Sequence, residues 1–145
     1  MKHTYKYPRP ALTVDAMVFR RADQGLQILL IRRKNEPFKG QWAFPGGFVD
    51  MNETVEEAVH RELKEETGLK NISLKQYFTA SEIDRDPRGR TVSVIFYGFV
   101  HHENDIKIRA ADDASEVCWH NLNQLPELAF DHQKILRKAQ DDLNL

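Results

Sequence analysis

The stretch Gly46 to Leu69, GGFVDMNETVEEAVHRELKEETGL, sets a glycine pair and an acidic turn directly before a helical pattern. Thr54 followed three positions later by Glu57 is a capping box, and Gly68 is a fitting stop, so the spacing predicts a helix from about Val55 to Thr67. Winding the segment at about 100° per residue from Val55 places Ala58, Val59 and Leu63 within an arc of about 140° that faces a core. Glu62 and Glu66 fall inside that arc and Glu65 sits on its edge beside Arg61, whereas Glu56, Glu57, His60 and Lys64 lie opposite. Carboxylates gathered away from bulk water oppose one another through desolvation and repulsion unless cations neutralise them. A metal is the economical explanation. Carboxylate oxygens are hard ligands, which suits Mg²⁺ or Mn²⁺ rather than zinc, and no His/Cys set with zinc spacing competes. Arg61 is one helical turn from Glu65 and is expected to brace it.

Outward from this segment the pattern alternates strands with helices. Leu12 to Arg20 and Leu26 to Arg32 are apolar, β-branched-rich runs on either side of Ala22-Asp23-Gln24-Gly25, a hairpin pattern. Ile72 to Thr79 and Thr91 to Val100 read as two more strands. In the second, Val92, Val94 and Phe96 alternate with Ser93, Ile95 and Tyr97, so both faces are expected to be covered. Glu116 to His120 reads as a short strand. Asp131 to Leu143 reads as a closing helix with Asp131 as N-cap and Ile135, Leu136, Ala139 and Leu143 along one face. Strands around a central helix, with a second helix at the end, predict an α/β sandwich on a mixed sheet.

The 145 residues, 41% hydrophobic and 10% aromatic, fit one domain over 1–145 with a single sizeable core. Twenty-one basic residues against 22 acidic ones leave a formal charge of −1, so neither nucleic acid nor an anionic membrane is an expected partner. The single cysteine excludes an internal disulfide, the start MKHTYKYPRP lacks a secretory stretch, and no run approaches the roughly 20 apolar residues of a spanning helix. A cytoplasmic protein is the expectation. Cys118, between Val117 and Trp119, reads as a small core residue, and the adjacent His101 and His102 as part of a solvated turn.

The quoted segment resembles the Nudix box, G-x5-E-x7-R-E-U-x-E-E-x-G-U with U apolar. Gly47, Glu53, Arg61, Glu62, Leu63, Glu65, Glu66, Gly68 and Leu69 fill every specified position over 23 residues. The resemblance implies a Nudix-type α/β/α sandwich with a mixed β-sheet and metal-dependent hydrolysis of a nucleoside diphosphate linked to another moiety. By the same resemblance Glu62, Glu65, Glu66 and the backbone of Gly46 are candidate Mg²⁺ or Mn²⁺ ligands, with Glu53 an outer or water-mediated contributor and Arg61 a supporting catalytic residue. Relatives differ in where the general base lies. Glu65 and Glu66 within the box, and Glu116 in the stretch Asp112-Asp113-Ala114-Ser115-Glu116, are the candidates, Glu116 reading equally well as an exposed acid.

Arg85-Asp86-Pro87-Arg88-Gly89-Arg90 joins two predicted strands, and Asp, Pro and Gly at the first, second and fourth turn positions account for a type I turn. The turn itself needs no arginines. Arg85, Asp86 and Arg88 are therefore candidate substrate contacts, since guanidinium groups bind phosphate and ribose in bidentate fashion. The string RDPRGRTVSV and the later LPELAFDH resemble the ADP-ribose pyrophosphatases of the family, which extends the similarity from about Thr13 to His132. That resemblance implies cleavage of ADP-ribose, a small-molecule nucleotide substrate, to AMP and ribose 5-phosphate, with a homodimer expected because many relatives complete each site with a second chain. A nucleoside triphosphate pyrophosphohydrolase and a non-catalytic ADP-ribose sensor are the alternatives. Regulators of the sensing kind need a DNA-binding extension, and none follows Leu145. Trp42, Phe44 and Phe130 are candidates to stack on adenine, although aromatic residues are more often core.

Overall fold

The computed structural model describes residues 2–101 and 114–145, so His102, Asp112 and Asp113 lie outside the described residues. Along the chain come β1 (Ala11–Ala22), β2 (Gly25–Arg33), β3 (Trp42–Ala43), β4 (Gly46–Phe48), α1 (Val55–Thr67), β5 (Lys75–Ala80), β6 (Thr91–Val100), β7 (Ala114–Asn121) and α2 (His132–Leu143). The strands form one mixed sheet in the order β3-β2-β1-β6-β5, with β4 added to β1 and β7 to β2. This is the α/β/α sandwich expected. Among the described residues no helix is long and apolar enough to cross a membrane.

Each central strand alternates its side chains between two apolar layers, as a strand buried on both faces must. Val14, Ala16 and Val18 of β1, Leu29 of β2 and Phe96 of β6 pack on one face against Ala58, Val59 and Leu63 of α1. Met17, Phe19, Ile28, Leu30 and Ile95 pack on the other face against Ile135, Leu136 and Ala139 of α2. Truncating a side chain as enclosed as Leu63, which is 1% exposed, costs about 2–5 kcal/mol by the usual core range.

The centre of the sheet is a parallel pair. β1 and β6 run side by side in unbroken register from Ala11–Thr91 to Arg20–Val100, and α1 lies in the connection between them. On its other edge β1 forks: its C-terminal half pairs with β2 from Phe19–Ile28 to Ala22–Gly25, and Thr13 to Asp15 pair with β4 instead. The segment carrying β3 and β4 fills the fork, with β3 held to Ile31 and Arg32 of β2, and Pro45 accepting a hydrogen bond from the Ala16 amide at 2.9 Å. This wedge brings the glycine pair to the mouth of the sheet.

Two element boundaries and one burial assignment differ from the sequence reading, for local reasons. β5 starts at Lys75 rather than Ile72 because Ile72 plugs the α1 layer, and the Ser73 carbonyl lies so close to Gly98 of β6 that a Cβ there would collide with it. β7 is longer than expected, running from Ala114 to Asn121. Cys118 is exposed, not core: Val117 and Trp119 turn toward the α1 layer, so the period-2 alternation sends the thiol to the opposite, open side of this edge strand.

Candidate functional site

Helix α1 ends as its sequence dictates. The Thr54 hydroxyl accepts the Glu57 amide at 3.0 Å while the Glu57 carboxylate accepts the Thr54 amide at 3.0 Å, and Gly68 closes the helix at φ 80°. The capping box fixes the rotation of the helix, and with it the three acids. Glu66 is 6% exposed and its Oε1 accepts the Gly46 amide at 2.7 Å, pinning helix to glycine loop. Glu62 is partly buried, and its carboxylate fills the space a Cβ on Gly47 would occupy, at 2.6 Å. Glu65 points outward and is half-exposed. Gly46 is equally cramped, since a Cβ there would meet the Val14 carbonyl and the Asp15 carboxylate. Both glycines are required by close approach of acid to backbone.

Arg61 has a larger part than a brace for Glu65. Its Nη2 and Nε donate to both oxygens of Glu53 at 2.6 and 2.9 Å, its Nη1 reaches Glu62 at 2.8 Å and Glu65 at 3.3 Å, and its Nη2 also binds the Phe48 carbonyl at 3.1 Å. Hydrogen bonding to Arg61, helped by the Asp50 amide, holds the Glu53 carboxyl down to about 2, and the same contacts raise the Arg61 guanidinium further above its ordinary value. Among the described residues no three acidic, histidine or cysteine side chains converge on one point as a metal cage. Arg61 stands between the carboxylates and supplies their countercharge.

A cleft of about 380 Å³ opens over this edge, and its lining includes Thr13, Asp15, Gly46, Gly47, Glu62 and Glu66 together with Arg33, Arg85, Asp86, Arg88 and Phe130. Its floor carries residues that sequence reading did not single out. Asp15 is buried beside Gly46, and desolvation raises its carboxyl to about 7 against the opposing pull of Arg85. Thr13 and Ser93 share a short hydrogen bond, and Ser93 also bonds Asp15. His132 is buried, stacked on Phe44 at 4.3 Å, and its Nδ1 accepts the Phe44 amide at 3.1 Å. Burial drives its imidazole down to about 3, so it is neutral, and the 3.9 Å approach of Nε2 to Asp15 is not an ion pair at neutral pH. A polar residue at an inward strand position is the signal that marked Asp15; next to glycines in space but not in sequence, it carried no meaning on its own.

The two loop arginines reach the cleft and already hold acids of their own. Arg85, its side chain 4% exposed, binds Asp131 through Nε and Nη2 at 2.9 and 2.8 Å and Ser93 through Nη1 at 2.8 Å. Asp131 occupies the N-cap position of α2 as expected, but makes no side-chain cap; Arg85 takes its carboxylate instead. Asp86 accepts the backbone amide, Nε and Nη2 of Arg88 at 2.9, 3.1 and 2.8 Å. Burial alone would raise the Asp86 carboxyl, and these Arg88 bonds overcome it and hold the group below its ordinary range. The Gly89 amide bonds the Asp86 carbonyl at 3.3 Å, closing the expected turn. Arg88 lies over the rings of Phe48 at 4.9 Å and Phe130 at 5.4 Å and lines the same cleft as Glu62 and Glu66.

Other expected positions move away from the cleft. Trp42 belongs to β3, its backbone tied to Glu127 and Ala129 and its indole edge-on to His120 at 4.5 Å, and it packs on the α2 layer rather than lining the cleft. Phe44 reaches the cleft floor but is 2% exposed with its face taken by His132, which leaves no room for a base. Phe130 and Phe48 are the lining aromatics with accessible rings, Phe130 half-buried among Phe38, Arg33 and Arg88, and Phe48 exposed beneath Arg88. Glu116 sits on strand β7, not in a loop. It pairs across the ladder with Arg32 and binds its Nη1 at 2.9 Å, outside the cleft lining.

The donors suit a hard divalent cation. Glu62 and Glu66 present oxygen atoms against backbone at the glycine pair, and His132, the one imidazole in the lining, is committed to the Phe44 amide. The Nudix domain family model matches residues 9–139. An ADP-ribose pyrophosphatase of Methanocaldococcus jannaschii is 48% identical over 131 residues, covering 90% of this chain and 73% of that protein. An ADPR responsive transcriptional repressor, NtrR, of Acinetobacter baylyi is 40% identical over 95% of this chain, which spans only 56% of the repressor. The solved Nudix domain of Shewanella oneidensis NrtR in complex with ADP ribose superposes with a TM-score of 0.87 at 34% identity, over 94% of this chain and 90% of that one.

Proposed function

The chain belongs to the Nudix family, and on that premise we propose that it is a single-domain, divalent-metal-dependent pyrophosphohydrolase that cleaves ADP-ribose to AMP and ribose 5-phosphate in the cytoplasm. The observation that carries the reading is the cleft, which brings the box carboxylates Glu62 and Glu66 and the Arg88 and Phe130 side chains into the lining of one cavity. A diphosphate between two sugars needs oxygen ligands for a cation on one side and a guanidinium with a flat apolar surface on the other.

Glu62 and Glu66, with the Gly46 backbone, would hold the ion, and Glu65 completes the set from the helix edge. When bound, Mg²⁺ or Mn²⁺ supplies Lewis acidity, neutralising charge on the diphosphate and favouring ionisation of the attacking water. Arg61 orients Glu53, Glu62 and Glu65 and holds Glu53 ionised, and it ties the glycine loop to the helix through the Phe48 carbonyl. Proton removal falls to the α1 carboxylates rather than to Glu116. Arg88 orients the diphosphate and Phe130 offers its ring to the adenine. A second copy of the chain completing the cleft is part of the same reading.

Sensing is the second reading, favoured by the 40% identity to an ADPR responsive repressor. The two separate in one assay. Purified protein with Mg²⁺ is expected to release AMP from ADP-ribose and to stop when a chelator is added. Tight binding without turnover would favour the sensor, and at least tenfold higher kcat/KM on dGTP or CTP would move the substrate to a triphosphate.

A further inference from the structure

The loop between β5 and β6 forms the arginine wall of the cleft, yet its own turn bonds are local to Asp86, Arg88 and Gly89. Beyond these, the Arg90 carbonyl accepts the Ala11 amide at 2.9 Å where the loop enters β6, and Arg88 lies over the Phe48 and Phe130 rings. The two-point, enclosed tie at the start of the loop runs to a residue 46 positions away. Asp131, at the N-terminal end of α2, accepts from the Nη2 and Nε edge of the Arg85 guanidinium at 2.8 and 2.9 Å, and the Arg85 Nη1 donates to Ser93 on β6 at 2.8 Å. Planar two-point pairing fixes direction as well as distance, in a way that a single contact does not. Arg85 is almost fully enclosed, so the pair is little screened by solvent.

We propose that Asp131 is a positioning residue for the substrate cleft: through Arg85 it sets the loop that presents Arg88, and Arg85 itself positions rather than contacts the substrate. The inference rests on the ADP-ribose reading above. It also explains why the cleft draws on both RDPRGR and the AFDH segment. The second tie between α2 and the same loop, Lys134 to Glu82 at 2.7 Å, is exposed on both sides and cannot substitute. With Asp131 neutralised, Arg85 keeps Ser93 but loses its fork partner, and the wall that binds substrate shifts while the α1 carboxylates stay in place. Binding should therefore suffer before chemistry does.

The experiment compares Asp131→Asn, Arg85→Lys and the double variant with wild type on ADP-ribose, with Asp142→Asn as a control. Asp142 ties the far end of α2 to Tyr77 and Lys138, so that control weakens the same helix away from the cleft. Each single variant is expected to raise KM about tenfold or more with kcat within about threefold, and to weaken ADP-ribose binding in chelator to the same extent. The double variant should be no worse than either single, because both break one pair. Asp142→Asn should leave KM unchanged even where its melting temperature matches that of Asp131→Asn. Multiplying defects, a loss confined to kcat, or an equal KM rise in the control would overturn the assignment. Should Asp131→Asn not fold, Arg85→Lys with the control decides alone through the KM shift. If wild type ignores ADP-ribose but cleaves another nucleotide diphosphate, the substrate reading fails separately, and the same variants test the positioning on that substrate.

Discussion

The cleft is built from two arginine–carboxylate clusters of opposite kind. Around Arg61 every acid lies within 12 positions in sequence, the group is partly exposed, and one helix with its preceding turn holds it. Around Arg85 the partners Asp131, Ser93 and Asp15 come from a helix terminus and two strands, and all but Asp131 are buried. The first can form as soon as α1 forms. The second exists only once the sheet and α2 have packed. Local clusters write themselves into spacing, and assembled ones do not.

The largest test bears on the local cluster. Glu66→Gln keeps an acceptor for the Gly46 amide and removes one negative charge, so kcat should fall by on the order of 100-fold or more if Glu66 holds the cation. Thermal unfolding separates this from damage. Mg²⁺ should raise the melting temperature of wild type more than that of the variant, since a ligand of the folded state stabilises by RT ln(1 + [L]/Kd). Because Arg61 already offsets Glu53, Glu62 and Glu65, the metal-free variant should gain little stability from losing a charge. An active variant, or equal stabilisation by Mg²⁺, would give Glu66 to structure alone.

The clusters should also separate by pH. In the exposed one, Glu53 sits near 2 against an ordinary 4.5, so its contribution is full above about 4.5 and is lost as pH falls toward 2. In the buried one the shifts oppose each other. His132, near 3 against 6.5, makes the fold less stable as pH falls from 6.5 to 3, because the unfolded chain takes the proton. Asp15, near 7 against 3.8, makes it more stable over nearly the same fall, because the folded chain takes one. Wild type in chelator should therefore be nearly flat between about pH 4 and 6.5. Asp15→Asn should unmask a slope of up to about 1.4 kcal/mol per pH unit, whereas Glu53→Gln should run at a constant offset below wild type above about pH 4.5 and converge with it as pH falls toward 2. Denaturant unfolding across that range checks both, and an Asp15→Asn curve parallel to wild type would mean that the Asp15 carboxyl is not perturbed.

The same contrast explains what was legible beforehand. Helix α1, its two caps and the inward turn of Glu62 and Glu66 follow from a 3.6-residue period acting on adjacent residues, and strand β6 from a 2-residue period. Asp15, Ser93 and His132 escaped notice because each is an ordinary polar residue until a parallel β1–β6 register and the fork of β1 bring it to the cleft floor. Asp131 was read by the nearest rule, helix capping, and its bond to Arg85 lies beyond any local rule. Trp42 and Phe44 were near the box in sequence, but strand alternation and the wedge in the fork turned them into packing.

Glu116 marks the boundary of that lesson, and its effect should be the smallest. Placed after two aspartates in a polar stretch, it looked like a loop base; in the fold it lies on an edge strand opposite Arg32, with the pair about half-exposed on each side. A solvent-exposed pair of this kind is worth about 0–1 kcal/mol, because water screens the attraction and both side chains give up rotamers to make it. Glu116→Gln keeps an oxygen for Arg32 and should change stability by less than about 0.5 kcal/mol and kcat by less than about twofold. A general base behaves otherwise, its loss lowering kcat by about 100-fold or more and flattening the acid limb of the rate profile. Measuring kcat from pH 5 to 9 for Glu116→Gln beside Glu65→Gln assigns the base: a collapse in the first variant with a normal second would carry the chemistry from α1 to β7 and undo the division between local machinery and assembled support.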